Sequence, residues 1–452
     1  MVRDGATGKR DSPAAATGRP GRMTRVAPPP DHPSEQPSEQ PSERPRTPDP
    51  EAPDPTAAFA ALLTDPGQRL LERVREVTPA EELAVATRLR REHPPALVAA
   101  ALSQARLRQR AEAKFGADAA AMYFTPEGLE QATRTSVADW RAGRLARAGV
   151  RRIADLCCGI GGDAIALARA GLNVLAVDRS PLTCAVAEAN AAALGLADRI
   201  EVRNAPVETV VDAELDGRVD AFDAVFVDPA RRGGRGRIFD PESYAPPLSW
   251  ALATAARLPN AALKIAPGVP HEAIPPWAEA EWVSHRGEVK EAVLWFGDLA
   301  EPGLRRATLL PGGDSLAGAP EPAPAGAPGR YLYEPDGAVI RAGLVGAVAE
   351  AVGGRLLDPS IAYLTADAIV PTPYATAYEI TDVLPFHLKR LRALLRERDV
   401  GTLTVKKRGS AITPEELLRR VRPSGRNAAT VFLTRVAGAP SMILGRPLRP
   451  TP

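Results

Sequence analysis

Three carboxylates and three glycines in this 452-residue chain are spaced for chemistry. Asp155 precedes Gly159, Gly161 and Gly162 in the run DLCCGIGGD, which ends at Asp163. A glycine turn between a strand and a helix lets the backbone pass close to a ligand with no Cβ in the way. Asp178 closes the next apolar stretch, VLAVD, where its carboxylate can accept both hydroxyls of a ribose. Two acids at successive strand ends around such a turn describe a nucleoside cofactor held across the C-terminal edge of a sheet. The third acid, Asp228, stands before Pro229 in FVDPARR.

Two cofactor classes fit the turn. Gly159-x-Gly161-x-x-Ala164 matches a variant of the dinucleotide fingerprint, with Asp178 at about the right offset. Asp155 and the Asp228-Pro229 step favour the other class. An Asp-Pro step ending a fourth strand belongs where a methyl acceptor meets the S-methyl group of S-adenosylmethionine, and a dehydrogenase has no need of it. Asp228 as a mere cap is the blander alternative. Cys157 and Cys158 read as small buried hydrophobes before they read as reactive thiols.

These residues need a scaffold of alternating strands and helices. Strand-like stretches at 152–156, 173–177, 200–202, 224–227 and 262–265 alternate with helical ones at 163–170 and 181–194, which predicts a mostly parallel sheet with helices on both faces. Segments 289–296 and 307–310 predict a closing hairpin. Lys264 ends the fifth strand, where it either touches the site or stabilises the sheet edge. Helical periodicity over 56–116 predicts a helical module, with Pro79 and Glu81 after Thr78 resembling a capping box. Residues 311–330 are rich in Pro, Gly and Ala and predict a linker, and 331–450 predict an α+β domain with strands at 401–405 and 429–436. The first 55 residues hold 13 prolines and predict a disordered head. Trp250, Trp277, Trp282 and Trp295 are expected in the core.

The D-x-x-x-G-x-G-G turn from Asp155, the following Val177-Asp178 and Asp228-Pro229 resemble class I S-adenosylmethionine-dependent methyltransferases. The upstream YFTPEGLEQAT from Tyr123 and WRAGR from Trp140 are similar to the trimethylguanosine synthase group, which methylates an exocyclic amine of guanosine. The region around Lys406-Lys407-Arg408-Gly409 resembles a THUMP-like domain. The resemblance implies a Rossmann-like methyltransferase domain over 117–310, S-adenosyl-L-methionine as cofactor, and RNA as partner. It implies that Asp155, Gly159, Gly161, Gly162 and Asp163 face the methionine part of the cofactor, that Asp178 holds the ribose, and that Thr125 lies in a segment folding over it. Asn204 would stand in for the acid that many relatives place near the adenine amine. Asp228 and Pro229 would face the acceptor. Amine-methylating relatives often read Asp/Asn-Pro-Pro-aromatic, and here Ala230 and Arg231 replace the last two residues. Arg231 or Arg232 would pair a phosphate or stack on a base, with Phe239 or Tyr244 as substitute aromatics.

Charge supports a polyanionic partner. Net charge is only +2, but residues 386–449 hold 15 Lys/Arg against 4 Asp/Glu, leaving the remainder at −9. Lys406, Lys407 and Arg408 are the expected phosphate contacts there, together with a basic loop from Arg231 through Arg235 to Arg237. Three cysteines build no disulfide framework or four-cysteine zinc site, five scattered histidines show no ligand spacing, and no apolar run is long enough to span a membrane. No metal and no membrane are expected, and the cytoplasm is the expected compartment. The alternatives are a methyltransferase of small molecules or proteins, and a noncatalytic RNA-binding protein on the same fold.

Overall fold

The computed structural model describes residues 54–215, 222–231 and 241–448. The expected disordered head lies outside them apart from its last two residues. Four helices open the described chain: α1 (Pro55–Leu63), α2 (Asp65–Val74), α3 (Glu82–Leu89) and α4 (Pro95–Phe115). Leu70, Leu71 and Val74 of α2 are buried with Val98, Ala101 and Leu102 of α4, so the helical periodicity there reports a true core face. The α3 helix starts later than the sequence predicts: Thr78 and Glu81 bond each other, and the first helical residue is Glu82. Next come α5 (Pro126–Gln131) and α6 (Thr135–Arg147).

Alternation of strands and helices then follows. β1 (Arg152–Leu156), α7 (Gly162–Arg169), β2 (Asn173–Asp178), α8 (Pro181–Ala193), β3 (Ile200–Asn204), α9 (Val207–Val210) and β4 (Ala224–Val227) form the first part. A two-residue ribbon, β5 (Ala230–Arg231) with β6 (Tyr244–Ala245), precedes α10 (Leu248–Ala255) and β7 (Asn260–Ile265). β8 (Glu279–His285), β9 (Glu288–Gly297), β10 (Arg305–Leu310) and β11 (Asp314–Gly318) complete a nine-stranded sheet of order 11-10-8-9-7-4-1-2-3. Strands 7-4-1-2-3 are parallel neighbours, which is the Rossmann-like core. Val and Ala alternate between its two faces: Ile153 and Ala176 look toward one apolar layer, and Ala154, Leu156 and Val177 toward the other.

Two expectations change here. β9 and β10 do not pair with each other, because β8 lies between them, antiparallel to β9 and parallel to β10. Residues 311–330 are not a bare linker, since Asp314–Gly318 adds an antiparallel edge strand to β10.

The remaining chain forms β12 (Tyr331–Pro335), α11 (Gly337–Ala342), α12 (Val345–Ala351), β13 (Arg355–Asp358), β14 (Ile361–Ala366) and β15 (Ala375–Pro385). After these come α13 (Leu388–Glu397), β16 (Val400–Lys407), α14 (Pro414–Val421), β17 (Asn427–Val436) and β18 (Ala439–Pro447). Its seven strands run in the order 13-14-12-15-18-17-16. The sheet curls so that β13 meets the turn between β17 and β18: Ala437 N–H donates to Leu357 O (3.0 Å), and Gly438 N–H to Asp358 Oδ2 (2.7 Å). Tyr363, Tyr378 and Phe432 fill the interior with edge-to-face rings. The two sheets share one apolar layer, in which Ala338, Val339 and Ala342 of α11 pack with Tyr333 and Leu364 against β8 and β10. Trp282 and Trp295 are fully buried, while Trp277 is 41% exposed and leaves the expected core set. No helix among the described residues is long and apolar enough to cross a membrane.

Candidate active site

β1 lies between β2 and β4, so the chain leaves its C-terminal end at the point where strand order reverses. Crevices form there because successive crossovers run to opposite sides. A cleft of about 850 Å³ opens at this edge, lined by Gly159, Gly162 and Asp163 after β1, Asp178 of β2, Asp228 and Pro229 after β4, and Lys264 and Ile265 of β7. Cys157, Gly159 and Gly161 all adopt positive φ (67°, 55° and 85°), which doubles the chain back into α7. A Cβ at Gly159 would meet no protein atom within 4 Å and would stand in the cleft, whereas Gly161 turns away onto Ala187 of α8.

The 125–131 segment closes one side. Thr125 lines the cleft and caps α5, its Oγ1 accepting from Gly128 N–H (2.9 Å). Gly128 sits so close to Ile160 that a Cβ would lie 2.4 Å from its Cγ2. Buried Asn190 of α8 ties this segment to the glycine turn: it accepts from Tyr123 N–H (2.6 Å) and donates to Ile160 O (2.9 Å). Gln104 of α4 brackets the N–H and C=O of Phe124 in the same way.

Seven of the predicted residues meet in the cleft: Thr125, Gly159, Gly162, Asp163, Asp178, Asp228 and Pro229. Asp178 Oδ2 accepts from Gly159 N–H (3.2 Å) and Oδ1 from Ser180 N–H (2.9 Å), so the carboxylate is already aimed at the turn. Asp155, Gly161 and Asn204 depart from expectation, Gly161 because it faces α8. The Asp155 side chain is fully buried on the α6–α7 side of β1 and does not line the cleft, and neither of its oxygens has a partner among the described residues. Burial, then the nearby Asp163 and Asp228, push its carboxyl well above the usual range against the pull of Arg141 and Lys264. Asn204 is exposed at the end of β3, where its amide donates to Asp178 O (3.0 Å) and reaches the Cys184 thiol instead of the cleft. Arg231 is described in its backbone only, and Arg232, Arg235, Arg237 and Phe239 lie outside the described residues. Tyr244 pairs with Arg231 in the ribbon and lines the cleft with only 3% of its surface exposed.

Sequence reading missed a network of buried charges beneath the acceptor side. Lys264 Nζ donates to Asp228 Oδ2 (2.6 Å) and to Thr133 Oγ1 (2.9 Å), and the Thr133 hydroxyl donates to Asp163 Oδ2 (2.7 Å). Arg141 of α6 bridges Asp163 and Glu291. Burial works to lower the Lys264 ammonium, but Asp228, Asp163 and Glu291 outweigh it and hold it above its usual value. Burial raises the Glu291 carboxyl despite Arg141. Lys114 is pushed down to about 8 by burial and by Lys264 and Arg134, and it donates to the carbonyls of Leu129, Glu130 and Ala132. One signal for this network was present in the sequence: Arg141 shares the apolar stripe of α6 with Val137, Ala138, Ala142 and Leu145. The Cys157 and Cys158 thiols are pushed up by burial and the surrounding carboxylates, so neither is a thiolate nucleophile at neutral pH. Among the described residues no cluster suits a metal ion.

Lys406, Lys407 and Arg408 are not one patch. Side chains alternate along β16, so Lys406 and Arg408 turn into the curled sheet toward Glu334 (3.0 and 3.9 Å) and only Lys407 is exposed outward.

Comparison with known proteins places the chain in a family. Residues 150–237 match the family model described as RNA cap guanine-N2 methyltransferase, 375–447 match a THUMP domain-like model, and 54–111 match a domain of unknown function. An uncharacterized S-adenosylmethionine-dependent methyltransferase of Mycobacterium tuberculosis is 36% identical over 357 residues, covering 76% of this chain and 95% of that protein. A shorter match, 35% over 82 residues, covers 18% of this chain and 19% of the 23S rRNA (uracil(1939)-C(5))-methyltransferase RlmD of Dechloromonas aromatica. The fold aligns with the crystal structure of a protein assigned as a methyltransferase from Porphyromonas gingivalis W83. The TM-score is 0.70 at 21% identity, and the alignment covers 88% of this chain and 99% of that one. Asp178 beside the side-chain-free turn at Gly159 gives the cleft a carboxylate acceptor and open space. The chain belongs to the S-adenosylmethionine-dependent methyltransferases, and S-adenosyl-L-methionine is its cofactor.

Proposed function

We propose that this enzyme methylates a nitrogen of an RNA base, with Asp228 facing the acceptor. The observation carrying this reading is the Asp228–Lys264 pair in the wall of the cofactor cleft. When bound, the cofactor supplies an electrophilic methyl group. Asp178 accepts the ribose hydroxyls, the backbone of Gly159 and Gly162 lies against the ligand, and Thr125 holds the covering segment. Lys264 fixes Asp228 through Oδ2. Oδ1 has no hydrogen-bond partner among the described residues, and it accepts an N–H of the acceptor, orients the nitrogen and takes up its proton. Alignment of this kind supplies much of the rate of a bimolecular transfer.

A carboxylate suits an amine acceptor, and the two protonated thiols offer no competing nucleophile. RNA is favoured by the two family descriptions and by the basic C-terminal stretch. The base must enter unpaired or flipped, because a stacked base in a duplex cannot reach a cleft floor. Domain boundaries near residues 116 and 330 belong to the same proposal. The test is transfer of labelled methyl from the cofactor to total RNA of a strain lacking this gene, followed by digestion to nucleosides. Label in an N-methylated base is expected. Label appearing only in protein or small molecules overturns the RNA reading.

A further inference from the structure

The curled sheet redistributes the basic charge that sequence alone places in one run. Lys406 of β16 and Arg408 just after it turn inward, where both pair with Glu334 and Arg408 stacks over Tyr363 at 5.1 Å. Two short amphipathic helices cover the other face of β16–β18. Leu391 and Leu395 of α13, with Leu417 and Val421 of α14, are buried against Leu403, Val431 and Leu433. That packing fixes which way the polar residues of both helices point.

Lys389, Arg390 and Arg396 of α13 are exposed, and none has an acidic partner among the described residues. Arg392, also exposed, donates to the carbonyl of Arg420, so the C-terminal end of α14 lies against α13. Arg419 and Arg422 at that end are exposed and likewise without an acidic partner among the described residues, whereas Arg420 pairs with Glu416. Side-chain alternation along β16 puts Lys407 on the same side of the sheet as these helices. Like charges crowded on two touching helices repel one another, and a partner that relieves this must carry closely spaced negative charge. The last turn of each helix takes cations favourably through its own dipole, which accounts for Arg419 and Arg420 of α14 and Arg396 of α13 but not for Lys389, Arg390 and Arg392.

We infer that the outer face of α13 and α14, rather than the Lys406–Arg408 run, binds the phosphate backbone of RNA. This rests on the RNA reading above and names the surface that serves it. Regularly repeated phosphates match cations spread over two helices, and such contacts position a strand without reading its bases.

The experiment uses the full chain and a fluorescein-labelled single-stranded RNA of about 30 nucleotides, titrated by anisotropy at several salt concentrations. The triple variant Lys389→Glu, Arg390→Glu, Arg396→Glu is expected to bind at least about tenfold more weakly, with a salt slope shallower by roughly two. The milder glutamine triple variant is expected to fall between it and the native chain. Unchanged cofactor affinity and thermal midpoint show that the variants are folded. Native-like RNA affinity and slope in the folded reversal variant overturn the surface assignment and leave the catalytic reading standing. So does a greater loss in folded Lys406→Gln than in the triple variant. Binding to phosphatidylserine vesicles with no binding to RNA also overturns it. If native protein neither binds nor methylates RNA, the RNA reading fails first.

Discussion

At the scale of single residues, the carboxylates at the ends of β1 and β2 differ by their surroundings. Asp178 is half-buried and already accepts two backbone N–H groups. In the role proposed for it, removing its side chain costs the hydrogen bonds to the ribose, about 1.5–3 kcal/mol for bonds to a charged acceptor. Asp178→Ala is therefore expected to weaken cofactor binding roughly 10- to 100-fold by calorimetry, and unaltered affinity would remove Asp178 from the binding set. Asp155 is the opposite case, an unpartnered carboxyl whose folded value is raised by burial. The folded state then holds a proton that the unfolded chain releases, so this group costs stability as pH rises from the ordinary carboxylate range. Asp155→Asn should raise the denaturant midpoint of the ligand-free protein at about pH 8, and the gain should shrink as pH falls toward about 4. A variant less stable than native at both pH values would contradict this. The glycine turn, Asp178 and Asp228 were legible in the sequence because their chemistry depends on local spacing. Asn204 was not, because it stands exposed at the end of β3, its NH2 on Asp178 O across the β2–β3 register and beside the Cys184 thiol of α8, and does not line the cleft.

At the scale of elements, helix α6 holds the cleft against the antiparallel extension of the sheet. Trp140 donates to Glu281 (2.9 Å), Arg141 bridges Asp163 and Glu291, and Arg144 reaches Glu279 (2.8 Å) and Glu281 (3.3 Å). This explains why β8 escaped the sequence reading. Glu279 and Glu281 mark a solvent-facing strand face by type, yet each is only 1% exposed, because α6, Arg306, Trp295 and Thr308 satisfy them. The parallel strands were legible because both faces carry apolar residues in short runs bounded by turns. Arg141 is the sharpest test of this layer. Arg141→Met leaves Asp163 and Glu291 buried without their cation, a loss of roughly 3–5 kcal/mol. Chemical unfolding should show that drop, with part of it recovered by adding Glu291→Gln. A loss below about 1 kcal/mol would mean the two acids find other partners.

At the scale of the whole molecule, the two sheets are not separate modules joined by a tether. β11 extends the first sheet from within the expected linker, and α11 packs between β8, β10 and the strands that begin the second sheet. Sequence composition marks 311–330 as Pro/Gly-rich but says nothing of the apolar layer it crosses, so the break looked cleaner than it is. A shared core predicts one cooperative unfolding transition for the described body, whereas two resolved transitions in calorimetry would contradict it. The same body places Asp178 and Asp228 on either side of β1 in one cleft, and the central claim is that binding and transfer divide between them. Asp228→Asn keeps the size of the side chain and removes its charge. Measured on one preparation, its cofactor affinity should stay within about twofold of native while methyl transfer falls at least about 100-fold. Transfer at the native rate in that variant would contradict the account.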